Sequence, residues 1–127
     1  MELIALVTVL VAAEYFFLAI MVGKCRSETG ISAPNILGDE KFERVFRVQQ
    51  NTMEQLVIFI PTMLAFSMYT SARWALLPGV LFIAGRQLYY HQYVSDPASR
   101  TPGMALTLLA NVILLFGAMI GLLMSMV

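Results

Sequence analysis

Apolar positions gather into four long runs, and the polar residues between and within them predict the helices. The first run, from about Met1 to Gly23, has only Glu2 and Glu14 as charged positions. That is long enough to cross a bilayer, which needs ~20 apolar residues. The link from Lys24 to Asp39 carries Gly30, Pro34 and Gly38 and reads as a loop. A second helix is expected from about Asp39, whose carboxylate can cap its first amides, to about Met68.

The first half of this second helix is unusual. At ~100° per residue, Glu43, Arg47, Gln50, Asn51 and Glu54 share one face, while Val45, Val48, Met53, Val57 and Ile58 supply apolar surface around it. Its second half, Leu56 to Phe66, is apolar, and Pro61 is expected to kink it. A polar turn, Tyr69 to Arg73, and the interfacial Trp74 precede a third helix of roughly Ala75 to Val94, with Pro78 in or near its first turn. Arg86, Tyr89 and Tyr93 recur on it at spacings of three and four. Asp96-Pro97 and Thr101-Pro102 then punctuate the chain before a last helix, about Pro102 to Val127, which has no charge at all. Gly117-x-x-x-Gly121 suits close helix packing, and Asn111 is its one strong polar group, placed to bond to a neighbouring helix.

Composition turns this pattern into a class. The chain is 59% hydrophobic and 13% charged, with mean hydropathy +0.77, so all-α integral membrane structure is expected: a four-transmembrane-helix bundle in one domain over residues 1–127. The formal net charge is zero, which argues against a nucleic-acid partner. Cys25 is the only cysteine, so no internal disulfide forms. The first run lacks a basic leader region and reads as a retained helix, not a signal peptide.

Ionisable groups at membrane depth cost roughly 2.5–3.5 kcal/mol each on insertion scales, so Glu14 and the stripe on the second helix must pair, face a wet cavity or meet a ligand. Lys24, Arg26, Lys41, Arg44 and Arg47 lie in or beside the first loop, and Arg86 and Arg100 at or towards the third, whereas only Arg73 marks the second. The positive-inside rule makes the first side cytoplasmic and gathers Arg47, Asn51, Glu54, Tyr89, Tyr93 and Arg100 at that end.

These residues carry a resemblance. Phe42-Glu43-Arg44-Val45-Phe46-Arg47-Val48-Gln49-Gln50-Asn51-Thr52-Met53-Glu54 is similar to a signature of the MAPEG superfamily, membrane-associated proteins of eicosanoid and glutathione metabolism. Arg86-Gln87-Leu88-Tyr89-Tyr90-His91-Gln92-Tyr93 followed by Arg100 resembles its second signature, in the same order along the chain. The resemblance implies a bacterial member forming a homotrimer of four-helix subunits. Glutathione would bind between subunits as co-substrate, and a lipophilic second substrate would arrive from membrane lipid. Residue by residue, it implies that Arg47, Asn51, Glu54, Tyr89 and Tyr93 hold glutathione. Gln49 matches too, although the helical wheel turns it off the stripe. Arg26, with Lys24, corresponds to a basic cluster at the end of the first helix, and Arg100 to the arginine that holds the sulfur as a thiolate. No metal is implied.

The chemistry is consistent with that set. Glutathione has two carboxylates and one ammonium, which arginines and Glu54 can bind. Its thiol, with pKa near ~8.5, becomes more reactive beside a cation. The expected activity is a glutathione-dependent transferase and/or peroxidase acting on lipophilic electrophiles or hydroperoxides, with a detoxifying role, in the bacterial inner membrane with the site facing the cytoplasm. The alternative is a non-catalytic lipid-presenting protein resembling the lipoxygenase-activating protein; a plain membrane scaffold is the third option. The chain departs from the family pattern in three places. Gln55 stands where leukotriene-C synthase relatives have tyrosine, Val57 stands where relatives have proline, with Pro61 a turn later, and His91-Gln92 replaces Gln-Gly. His91 and Cys25 read as structural, not catalytic.

Overall fold

The computed structural model describes residues 1–127, and its regular structure is all helical. Helix α1 covers Glu2–Thr29, six residues beyond the expected end at Gly23. Nothing in Lys24 to Thr29 breaks a helix, and the Thr29 hydroxyl donates back to the Cys25 carbonyl at 2.7 Å. Termination falls to Gly30, whose φ of 75° is left-handed, with its N–H bonded to the Arg26 carbonyl. Helix α2 covers Glu40–Phe66 and starts as expected, with the Asp39 carboxylate accepting from the Phe42 N–H at 2.9 Å.

The turn after α2 is where the pattern along the chain was least informative. Ser67–Ser71 continues as a π-helical turn, Ser71 adopts an extended backbone, and its side chain accepts from the Trp74 N–H to start α3, Ala72–Ser95. The chain reverses there. Phe59 of α2 meets Phe82 of α3 with ring centroids 4.2 Å apart, and Met63 lies beside Gly79. Pro78 falls in the second turn of α3, buried, close to the first turn as expected, because the helix starts at Ala72, three residues before the expected Ala75. A short 3-10 turn, Pro97–Ser99, leads to α4, Thr101–Ser125.

Three stretches are long and apolar enough to cross a membrane: Glu2–Thr29, Glu40–Ser95 and Thr101–Ser125. Val11, Phe59, Phe82, Ala75, Ala110 and Leu114 are fully buried at the centre of the bundle. Large apolar side chains such as Phe16, Val57, Trp74 and Leu108 cover the outside, an arrangement suited to lipid as the solvent. Glycines let α4 approach its neighbours closely. A Cβ at Gly103 would lie 2.5 Å from the Tyr89 nitrogen of α3, and Gly117 takes the Phe66 ring and offers its carbonyl to the Thr70 hydroxyl at 2.7 Å.

The ends of the bundle follow from two contacts. Arg44 Nη1 donates to the carbonyls of Val94 and Ser95, both at 3.2 Å, so the first and third connections share one end. Met1 to Ile4 border a cavity with Ala72, Arg73 and Leu76 at the other.

Candidate functional site

The polar residues that apolar packing must accommodate meet at Arg86. This side chain is 1% exposed. Its Nε donates to Thr107 Oγ1 at 3.0 Å, and its Nη1 donates to Asn51 Oδ1 at 2.7 Å and Thr52 Oγ1 at 3.3 Å. Each threonine hydroxyl spends its own proton one turn back, on the Val48 and Gly103 carbonyls at 2.8 and 2.9 Å. Both hydroxyls are thereby committed to act as acceptors towards the guanidinium. The guanidinium carbon also lies 4.4 Å from the Tyr89 ring centroid, and Tyr89 stacks on Tyr93 at 5.4 Å. One cation thus ties α2, α3 and α4 together.

Two further pairs bridge helices nearby. Gln87 donates to Glu14 Oε2 at 3.0 Å, so the intramembrane carboxyl faces inward with one oxygen partnered, while its Oε1 is buried without a partner. Asn111 donates to Gln55 Oε1 at 2.9 Å, the cross-helix bond expected of it. Between α2, α3 and α4 lies a groove of about 310 Å³, lined by the polar Asn51, Gln55, Arg86, Thr101 and Thr107 and by the apolar Met104 and Leu108.

The expected ligand residues are distributed around this centre. Arg47 Nη1 pairs with Glu54 Oε1 at 3.2 Å across two turns of α2, both about half exposed. Asn51, Tyr89 and Tyr93 gather at Arg86, as described. Arg100 is exposed at the start of α4, with Nη1 on the Pro97 carbonyl at 2.9 Å. Gln49 is partly buried and makes no side-chain hydrogen bond. Arg26 is not drawn into the cluster within this chain. Its Nη1 bonds to the Asn35 carbonyl at 2.7 Å and its guanidinium lies over the Phe42 ring at 4.7 Å, which holds the first loop against α2. His91 is exposed beside the Tyr90 ring, and Cys25 is buried and free.

Arg86 is the residue that reading the sequence placed on a face but did not assign to the site. A signal for it existed. An arginine nine residues from the end of a 24-residue helix is too deep to reach water easily and must find acceptors inside.

Chemically, this half of the bundle, towards the first and third connections, carries cations, amide donors, carboxyl groups and phenols, and a groove of mixed polar and apolar lining. Residues 4–120 match the MAPEG family. An uncharacterised protein of the cyanobacterium Synechocystis is 40% identical over 119 residues, covering 94% of this chain and 87% of its own length. Human microsomal glutathione S-transferase 2 is 37% identical, over 84% of this chain and 72% of its own, and leukotriene C4 synthase of Cavia porcellus is 29% identical over 95% and 81%. A match that runs through all the helices described above, and takes in both polar blocks of α2 and α3, means that the chain belongs to the MAPEG family.

Proposed function

We propose that the protein is a multi-pass membrane enzyme that binds glutathione at the Arg47–Glu54 face and transfers it to lipophilic electrophiles, or uses it to reduce hydroperoxides. The observation that carries this reading is the cluster of Asn51, Tyr89 and Tyr93 at Arg86, with the Arg47–Glu54 pair on the same helix as Asn51 and a groove that Asn51 and Arg86 line together with Met104 and Leu108. Relatives named as glutathione transferases support the choice of ligand. Arginine forks suit the two carboxylates and Glu54 suits the ammonium.

Arg100 is assigned to the sulfur. A cation there lowers the thiol pKa and raises the thiolate fraction at neutral pH. The thiolate then attacks an electrophilic carbon to form a thioether as the leaving group departs or the adduct takes up a proton. Alternatively, it attacks a hydroperoxide oxygen, breaking the O–O bond to release an alcohol and leave a glutathione sulfenic acid that a second glutathione converts to the disulfide and water.

The reading includes four spans in a single domain, because Glu40–Ser95 folds back on itself at Ser71 and counts twice. It also includes a homotrimer. Arg47, Glu54 and Arg100 are all exposed, so a neighbouring subunit has access to bring Gln49 and Arg26 to the ligand. The site faces the cytoplasm from a bacterial inner membrane, in keeping with the distribution of Lys and Arg.

The test is calorimetric titration of glutathione into the detergent-purified protein, with Arg47→Ala and Glu54→Ala alongside. Saturable binding to wild type, lost in both variants, is expected. Absence of binding to a folded, correctly assembled protein would return the site to the lipid-presenting alternative.

A further inference from the structure

Two amides, Asn51 and Gln55, border the groove one helical turn apart on α2, and each has its oxygen occupied from behind. Asn51 Oδ1 accepts from Arg86 at 2.7 Å, and since a guanidinium only donates, the Asn51 NH2 is left for the groove. Gln55 Oε1 accepts from Asn111 Nδ2 at 2.9 Å, which likewise leaves the Gln55 NH2 free.

The direction of that second bond has a physical reason. Asn111 is 5% exposed, and its Oδ1 is buried without a partner. Reversing both amides would put an unpaired NH2 in the same place, and an orphaned buried donor is rarer than an orphaned carbonyl. The favoured setting makes Gln55 a donor.

Arg86 completes the pattern. Its Nε and Nη1 are used within the protein, Nη2 makes no protein hydrogen bond, and the residue lines the groove. No carboxylate lies within 4 Å of it, since the four ion pairs of the chain all involve other residues. Three sets of N–H donors, one of them on a buried guanidinium with no carboxylate within 4 Å, line a single space. Such a set suits an anionic oxygen pair.

We propose that Asn51, Gln55 and Arg86 form a carboxylate subsite, and that Asn111 is the positioning residue that sets Gln55 as a donor. The inference rests on the glutathione reading for the source of the carboxylate; an acidic lipid carries the same group. Gln55 then replaces the aromatic residue of relatives with a contact of its own.

The experiment measures glutathione affinity by calorimetry for wild type, Gln55→Ala, Gln55→Glu, Asn111→Asp and the Gln55→Ala/Asn111→Asp double variant. A second arm compares oleate with methyl oleate. An ionised aspartate at 111 can only accept from Gln55, so it turns the Gln55 oxygen towards the groove, and titrations repeated at rising pH secure that form. Glutathione affinity is expected to fall about tenfold in Asn111→Asp and further in Gln55→Glu, as for a hydrogen bond to a charged group. In the Gln55→Ala background Asn111→Asp should cost nothing more, a cancellation that a merely structural role of Asn111 would not produce. Chromatography and melting in the same detergent check folding, and Gln55→Ala, at a half-buried groove position, serves where a variant at 111 fails.

Glutathione binding to wild type that Asn111→Asp leaves within twofold, with oleate equally unaffected, overturns this inference alone. No glutathione binding, but a preference for oleate over its ester that Asn111→Asp abolishes, overturns the transferase reading and keeps the subsite with a lipid as the source. Neither binding nor preference overturns both.

Discussion

Arg86 Nη1 donates to Asn51 Oδ1 at 2.7 Å across 35 residues of sequence, from a side chain that is 1% exposed. The same guanidinium holds Thr107 from a different edge. Lysine has a compact ammonium on a flexible stem and cannot reproduce two divergent bonds in one plane. Arg86→Lys is therefore expected to destabilise the fold by about 2 kcal/mol, as buried acceptors lose their donors. It should also weaken glutathione binding by releasing Asn51. Denaturant titration in mild detergent measures the first effect, and wild-type stability in the variant would refute the network's role.

Arg47 and Glu54 predict the opposite balance. Their side chains are 51% and 53% exposed at 3.2 Å, and a pair of that kind contributes about 0–1 kcal/mol to stability. Arg47→Ala should leave the melting midpoint nearly unchanged while reducing glutathione affinity by more than about tenfold, the loss of one charged contact to the ligand. A variant that melts early but binds normally would make the pair structural.

Gly103 tests how tightly α4 must sit on α3. A Cβ there would meet Tyr89 backbone atoms at 2.5 and 2.6 Å, and backbone cannot move aside as a flexible side chain can. Gly103→Ala is expected to cost about 1–3 kcal/mol and to loosen the Thr107–Arg86 bond one turn further along. Gly23→Ala is the control, since nothing lies within 4 Å of its added methyl. It should be neutral or raise stability by roughly 0.5–1 kcal/mol through helix propensity. Equal effects at the two positions would mean that the close approach is not needed.

These contrasts show which features of the site could be read from the chain alone. The stripe on α2 and the Arg86, Tyr89, Tyr93 face of α3 follow from helical spacing, and the Asp39 cap from one residue and its context. Which residues meet across helices does not follow, because spacing fixes a face but not the partner helix. Asn111 was visible as a lone polar group, yet its bond to Gln55 spans 56 residues. The turn at Ser67–Ser71 was legible only as a polar break, since nothing in its composition distinguishes a π-helical turn from a loop. The end of α1 was misplaced because charge was taken as a helix end, whereas Lys24 and Glu28, one turn apart, are compatible with helix and Gly30 supplies the stop.

Arg100 separates binding from chemistry. It stands exposed at the start of α4 with only the Pro97 carbonyl as a partner, so its removal leaves no buried group unpaired and should not disturb the fold. If its charge lies beside the sulfur of bound glutathione, Arg100→Ala lets the thiol pKa rise towards the free value of about 8.5. The sign follows directly: at neutral pH the thiolate fraction and the rate fall, by about 10–100-fold, and both recover as the pH is raised through the new pKa. Glutathione affinity should change less than about threefold, because Arg47, Asn51 and Glu54 remain. Thiolate absorbance of the bound ligand, followed against pH in both proteins, measures the shift without depending on the second substrate. Coincident titration curves for wild type and Arg100→Ala would remove Arg100 from the sulfur and leave Arg86, the cation that lines the groove, to be tested in its place.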